Sequence, residues 1–250
     1  MFQPPHIAVL VCTALLTVLA CRWARSAPRE AVKRWLQVWA VAVLFFDPAY
    51  WIWEVGSFGR IDPATSLPLY LCSLFWLMLP LAVFARWDWL RQMASATVCT
   101  MGLLGGVFGL VFNIYLSRYP FLSFVPVRSL LYHILMVLVP AVMWSSGWYR
   151  PRREDRYLCF VPVAALVGVC LVFNRLFGWD YCYTAGGAGT PLEKLSGALP
   201  RGLFLLVLYG ALLGLIQLLF YRHIPAGGER EDLQNKESVE KGGETIQKQF

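Results

Sequence analysis

Charge is scarce in this chain. Only 15% of its 250 residues are Asp, Glu, Lys or Arg, against about 25% in an ordinary soluble domain. Hydrophobic residues make up 58%, and the mean hydropathy is +0.55. That much apolar surface exceeds what 250 residues can bury in their own interior, so the bilayer is the expected solvent. Paired cysteines are also lacking. The seven (Cys12, Cys21, Cys72, Cys99, Cys159, Cys170 and Cys182) stand singly, mostly inside apolar runs, with no CxxC. This pattern argues against a zinc module and against a disulfide-stapled secreted fold. Most of the seven read as small hydrophobes. No internal repeat is visible. The first apolar run has neither a basic stretch before it nor a convincing small-residue cleavage site after it, so it reads as a membrane helix and not as a signal peptide. The net charge of +7 is explained by basic loops on one side of a membrane, and nucleic acid is not expected as a partner.

Seven apolar stretches are long enough to span, at about 20 residues each. They cover roughly residues 5–21, 35–56, 67–85, 93–116, 125–146, 157–177 and 201–221. The expected fold is therefore all-α, a polytopic bundle of about seven transmembrane helices over residues 1–223. Residues 224–250 are polar, charged and almost free of aromatics, and are expected to form a disordered tail. In the third stretch, Ser66 suits a helix cap and Pro68 a first helical turn. "GLLGGVFG" in the fourth supplies the small residues that let helices pack closely. Eleven Lys and Arg fall in the loops at 22–34, 86–92 and 150–156, against six on the other side (Arg60, Arg118, Arg128, Arg175, Lys194 and Arg201). The richer side is expected to be cytoplasmic, with the N-terminus outside, the C-terminus inside and the cell membrane as the location.

Ionisable and polar groups inside spans are costly, at roughly 2.5–3.5 kcal/mol for an aspartate near mid-helix, so each asks for a reason. They are Asp47 and Glu54 in the second span, Tyr70 and Cys72 in the third, Asn113 in the fourth, His133 in the fifth and Asn174 in the sixth. Counting 1.5 Å per residue from the span ends puts Cys72 about 8 Å deep, His133 about 12 Å and Asp47 about 14 Å. Asn113 and Asn174 are shallower. Five helices thus bring polar side chains to similar depth in the outer half of the membrane, where one pocket would satisfy them together. The plainer account is that groups near helix ends meet water, and that Asp47 answers backbone loosened by Pro48.

"LPLYLCSL", "LLYHILMVLVPAVM" and "FNRLFGWDYCYT", followed by "LEKLSGALPRGLFLLVLYGALLGLIQLLFYRH", resemble the YwaF-like integral membrane family. That family is similar to the transmembrane protein 164 group of acyltransferases, in which a cysteine and a histidine act on phospholipid acyl chains. The resemblance runs from about residue 35 to 223. It places an LP-x-H-x-C motif on Leu67, Pro68, Tyr70 and Cys72, the fifth-span histidine on His133, the second-span acid on Asp47, and an Asn-x-x-x-Gly-x-x-Tyr segment on Asn174, Gly178 and Tyr181. Position 70 departs, with Tyr where the family usually has His. Tyrosine donates and accepts hydrogen bonds but is a poor base at neutral pH.

A thiol in apolar surroundings is held neutral and unreactive unless a base takes its proton. Cys72, His133 and Asp47 supply nucleophile, base and orienting acid. Tyr70 or Asn113 can donate to an oxyanion, while Asn174 and Tyr181 are further candidates for contact with substrate. Tyr70 and Cys72, two apart on a helix, are expected to point to different sides. Membrane lipids are the expected partners, no soluble partner is evident, acyl transfer between phospholipids needs no cofactor, and a metal is not expected from one His and one Cys. Two other classes stay open: an ion- or proton-coupled transporter relaying through Asp47 and His133, and a non-catalytic protein whose polar cluster glues helices together.

Overall fold

The computed structural model describes residues 3–187, 190 and 192–224. Within them six helices are long and apolar enough to cross a membrane. They are α1 (Pro4–Ser26), α2 (Arg29–Phe58), α4 (Asp88–Arg118), α5 (Phe124–Ser145), α6 (Asp155–Phe177) and α7 (Arg201–Tyr221). A shorter apolar helix, α3 (Leu71–Phe84), lies between α2 and α4. The described residues contain no β-strand. The expected helical membrane bundle is the observed architecture. The expected tail lies, apart from Ile224, outside the described residues.

Local sequence explains the breaks. Pro4 and Pro5 open α1, where their missing N–H groups cost nothing. Gly59 ends α2 and Gly178 ends α6, both left-handed at φ 72° and 70°, a conformation that glycine adopts without a Cβ penalty. Pro48 cannot donate to Leu44 four residues earlier, and the freed carbonyl instead accepts the Trp76 indole N–H at 3.2 Å.

Burial separates centre from rim. In α4 and α5, 61% and 56% of the apolar window is buried, against 11% in α1 and α7. The pair therefore forms the middle of the bundle, with Met136, Val139, Met143 and Cys99 fully buried around it. Glycine makes this approach possible. A Cβ on Gly106 would stand 2.8 Å from the Met136 Cβ, closer than packed carbons approach. Outward residues such as Ile52, Leu206 and Leu15 remain exposed, as a lipid-facing surface requires.

The third predicted span differs from expectation. Its helix has 14 residues, about 21 Å at 1.5 Å per residue, which is short of the roughly 30 Å hydrocarbon layer. Ser66 does not cap it. Ser66 closes a separate one-turn helix, Pro63–Ser66, capped by the Asp62 carboxylate. Pro68 follows in non-helical chain, with Leu67 and Tyr70 both in extended conformation, as expected for a residue preceding proline at Leu67.

Candidate active site

The gap left by the short helix is where the polar residues gather. Non-helical backbone at membrane depth survives only when its polar groups are satisfied by protein or by a water-lined cavity. Here protein does much of it. The Leu67 N–H donates to the Tyr181 hydroxyl at 3.0 Å, and that hydroxyl donates to the Pro63 carbonyl at 2.6 Å. The Leu69 carbonyl accepts from the thiols of Cys170 at 3.4 Å and Cys182 at 3.1 Å. The Cys72 carbonyl accepts from the Tyr132 hydroxyl at 3.2 Å.

A cavity of about 80 Å³ opens beside this segment. Asp47 and Tyr50 of α2, Tyr70 and Cys72 of the broken segment, Tyr115 of α4, and Arg128, Ser129, Tyr132 and His133 of α5 line it. The four α5 residues sit at i, i+1, i+4 and i+5, which is one face of a helix. Tyr70 and Cys72 share the cavity, contrary to the divergence expected of two residues on one helix. Tyr70 is still extended where the 3₁₀ turn at Leu71–Ser73 begins, so helical geometry does not govern their angle.

The His133 ring is held on two sides. Its Nδ1 lies 2.7 Å from the Ser129 carbonyl. A carbonyl only accepts, so Nδ1 carries the proton and Nε2 is left with its lone pair free to accept one. On the other side the ring rests on Gly109 of α4. A Cβ there would stand 2.0 Å from the His133 Cδ2 and 2.1 Å from Nε2. The glycine-rich stretch thus provides packing, and at Gly109 it makes room for the imidazole.

Asp47 lines the same cavity but does not orient His133. Its carboxylate pairs with the Arg128 guanidinium, whose Nε also donates to the Phe46 carbonyl at 2.8 Å. The guanidinium lies 4.9 Å from the centre of the Tyr50 ring. Both members of the ion pair are largely buried, at 18% and 13% side-chain exposure. Arg128 is therefore engaged inside the bundle and not in a loop, and without it five of the six basic residues counted opposite the rich loops remain.

Asn113, Asn174 and Tyr181 are not among the residues lining the cavity. Asn113 donates to the Ser129 hydroxyl at 3.0 Å, which is itself 3.4 Å from the His133 Nδ1, so it acts one step behind the ring. Asn174 clasps the turn at 181–184. Its side chain donates to the Tyr181 carbonyl at 2.8 Å and the Thr184 hydroxyl at 2.7 Å, and accepts from the Tyr181 N–H at 3.1 Å. Tyr181, fully buried, then holds the 63–67 segment and packs edge-on against the Tyr70 ring at 4.9 Å. Glu54 is buried behind Ser66, accepting from its hydroxyl at 2.7 Å.

The sequence reading missed Arg128, Ser129, Tyr132, Tyr115 and Tyr50. Arg128 was legible in part. Beginning the fifth span at residue 125 already puts it inside the helix, five residues before His133.

The TMEM164 family model matches residues 1–221. The chain belongs to the TMEM164 family. The match covers every helix described above, including the broken segment around Cys72 and the helix that carries His133. Comparison with curated proteins and with solved structures yields no match.

Proposed function

We propose that this TMEM164 family protein is a membrane-embedded phospholipid acyltransferase, with lipid hydrolysis as the close variant, that works through Cys72 and His133. One observation carries the reading. Cys72 and His133 line a single cavity, and the bond from Nδ1 to Ser129 leaves His133 Nε2 as the proton acceptor. In soluble thiol enzymes a side chain often fixes the base; here a main-chain carbonyl from the preceding turn does so.

The chemistry balances as follows. The Cys72 Sγ attacks the acyl carbonyl of a phospholipid while His133 Nε2 takes the thiol proton. The tetrahedral intermediate collapses to a thioester. The ester C–O bond breaks, and the imidazolium returns the proton to the departing alkoxide. An acceptor lipid hydroxyl then attacks the thioester, losing its proton to Nε2 and restoring the thiol. Water in place of the acceptor gives hydrolysis. The Arg128 guanidinium, fixed by Asp47, and the hydroxyls of Tyr70 and Tyr115 are the donors available to the oxyanion, and a principal donor of this kind typically supplies about 3–4 kcal/mol. The acyl carbonyls of a bilayer lie just below the headgroups, at the depth expected of Cys72, and a lipid reaches the cavity laterally.

We assign the cavity to the outer half of the cell membrane, with the N-terminus outside and residue 221 inside, from the excess of Lys and Arg at the opposite end. Labelling of the 150–156 loop from outside intact cells would reverse that orientation.

The decisive test uses the full chain in vesicles of two phospholipids with distinct, isotopically marked acyl chains, with exchange followed by mass spectrometry. Exchange is expected from the intact protein and not from Cys72→Ala. An acyl adduct on Cys72, released by hydroxylamine, is expected as the intermediate. Undiminished exchange by Cys72→Ala sinks the proposal.

A further inference from the structure

A larger cavity, of about 320 Å³, lies at the other end of the bundle. The last turn of α1, the first turn of α2 and the turn that follows α5 surround it. Arg25, Arg29 and Arg150 line it together, with Trp148 at the side and Ala24 and Val32 among its apolar lining. None of the three arginines meets a carboxylate among the described residues, where the ion pairs are Lys33–Glu30, Arg91–Asp88 and Arg128–Asp47. All three are exposed residues, and together they concentrate positive charge around one hollow, which favours an anion there.

The turn brings Arg150 towards the hollow. Gly147, at φ 70°, reverses the chain, and the Arg150 Nε and Nη2 lie 3.6 Å from where a Cβ on Gly147 would be. The side chain therefore folds back over the turn. Indole rings mark the depth. Besides Trp148, Trp23 and Trp35 of α1 and α2 pack at 6.1 Å, and tryptophan gathers at the boundary between lipid and water. Ala24 and Val32 are buried, at 3% and 2% exposure, so apolar surface lies beside the cationic lining.

We propose that this cavity binds a phosphate group, carried either by the headgroup of an anionic phospholipid or by soluble phosphate. A guanidinium presents paired N–H donors that match two phosphate oxygens at once, and a phosphate group offers three such groups more acceptor oxygens, in more directions, than a carboxylate does. The volume falls in the range of small-molecule sites, about 300–1,000 Å³. Basic hollows between membrane helices are a recurrent form of headgroup site. This site shares no residue with the Cys72 cavity and stands independently of the acyl-transfer reading.

The test uses the full chain in detergent, with native mass spectrometry after addition of phosphatidylglycerol, phosphatidylcholine or inorganic phosphate. Phosphatidylglycerol is expected to bind at least tenfold more tightly than phosphatidylcholine. The triple variant Arg25→Gln/Arg29→Gln/Arg150→Gln should lose that preference. Arg22→Gln/Arg34→Gln/Arg86→Gln, with the same loss of charge outside the cavity, should keep it. Binding of inorganic phosphate as tight as that of phosphatidylglycerol would identify soluble phosphate as the ligand, and its absence would identify the headgroup. If the triple variant fails to fold, Arg150→Gln alone, at an exposed position, should still weaken binding at least threefold. Equal binding of both lipids by the intact protein, an equal loss in the control variant, or no loss in Arg150→Gln overturns the proposal.

Discussion

Two aspartates at opposite ends of the bundle, one buried and one largely so, show how differently a carboxyl group can be kept in this protein. Asp155, fully buried, is held by neutral donors. Its Oδ2 accepts from the Gln92 amide at 2.7 Å, the Tyr149 hydroxyl at 3.0 Å and the Arg152 N–H at 2.8 Å, which ties the turn after α5 to the starts of α4 and α6. Asp47 is held by a full cation, Arg128, and the pair forms part of a cavity wall beside a thiol and an imidazole. Asp155 is buried and Asp47 largely so, so burial of a carboxyl group does not by itself mark a site. What distinguishes the Asp47 end is a cavity lined by a thiol and by an imidazole whose Nδ1 is bonded to a carbonyl.

That contrast predicts effects of different kinds at the two ends. The largest is on chemistry. His133→Ala and Cys72→Ala should each lower acyl exchange by about 10²-fold or more, the scale of a lost base or nucleophile. Asp155→Asn should leave the rate per folded molecule unchanged. Exchange assays on the three variants side by side decide it, and a fall with Asp155→Asn comparable to that of His133→Ala would erase the distinction.

The next effect is on stability at the Asp47 end. Arg128→Gln leaves a buried carboxylate without its cation and should cost about 3–5 kcal/mol, read as a lower thermal midpoint in detergent. The double variant Asp47→Asn/Arg128→Gln removes both charges and should recover most of that loss. If Arg128 also stabilises the oxyanion, the double variant folds but stays slow. Full recovery of exchange along with stability would confine the pair to a structural role.

A smaller effect separates glycines. Gly109→Ala drives a methyl into the His133 ring and should cost about 1–3 kcal/mol, as overpacking does, with a fall in exchange because the ring must move. Gly210→Ala, with no heavy atom within 4 Å of the new Cβ, should change neither. Equal behaviour of the two in exchange and in melting would remove Gly109 as a support for the base.

The smallest effect is expected at position 70. Tyr70 lines the cavity but its hydroxyl is one of several donors there, so Tyr70→Phe should slow exchange by no more than about tenfold, below the loss of a principal oxyanion donor. Tyr70→His restores the residue usual in the resembling family and should leave exchange within the same range. A hundredfold rise with Tyr70→His, combined with little change in His133→Ala, would transfer the base from His133 to position 70.

Much of the fold was legible because the bilayer constrains composition so strongly. Runs of about 20 apolar residues have few alternatives to a spanning helix, and six of the seven predicted stretches meet the spanning criterion. The third did not, since hydropathy is blind to backbone. The stretch 67–70 is as apolar as a helix, yet Pro68 and the extended residues beside it keep it open. Of the proposed site, Cys72, His133, Asp47 and Tyr70 were legible as polar groups at one depth, and the cavity contains all four. Depth along a helix says nothing about angle around it, which is why the pairing of Asp47 with Arg128, and not with His133, was beyond reach.

By itself the sequence determined the solvent, the helical class and the residue types available for chemistry, because each follows from local composition and spacing. Only the tertiary structure decided which of those residues meet. It set Gly109 beneath the His133 ring, bonded Nδ1 to the Ser129 carbonyl, and used Tyr181, 114 residues away, to satisfy the Leu67 N–H of the broken segment. The first and last of these join segments apart in sequence, and the Nδ1 bond, although it lies within one turn of α5, belongs to a ring whose other side packs on Gly109 of α4. They depend on rotation and packing about the helix axes, which no single apolar run encodes.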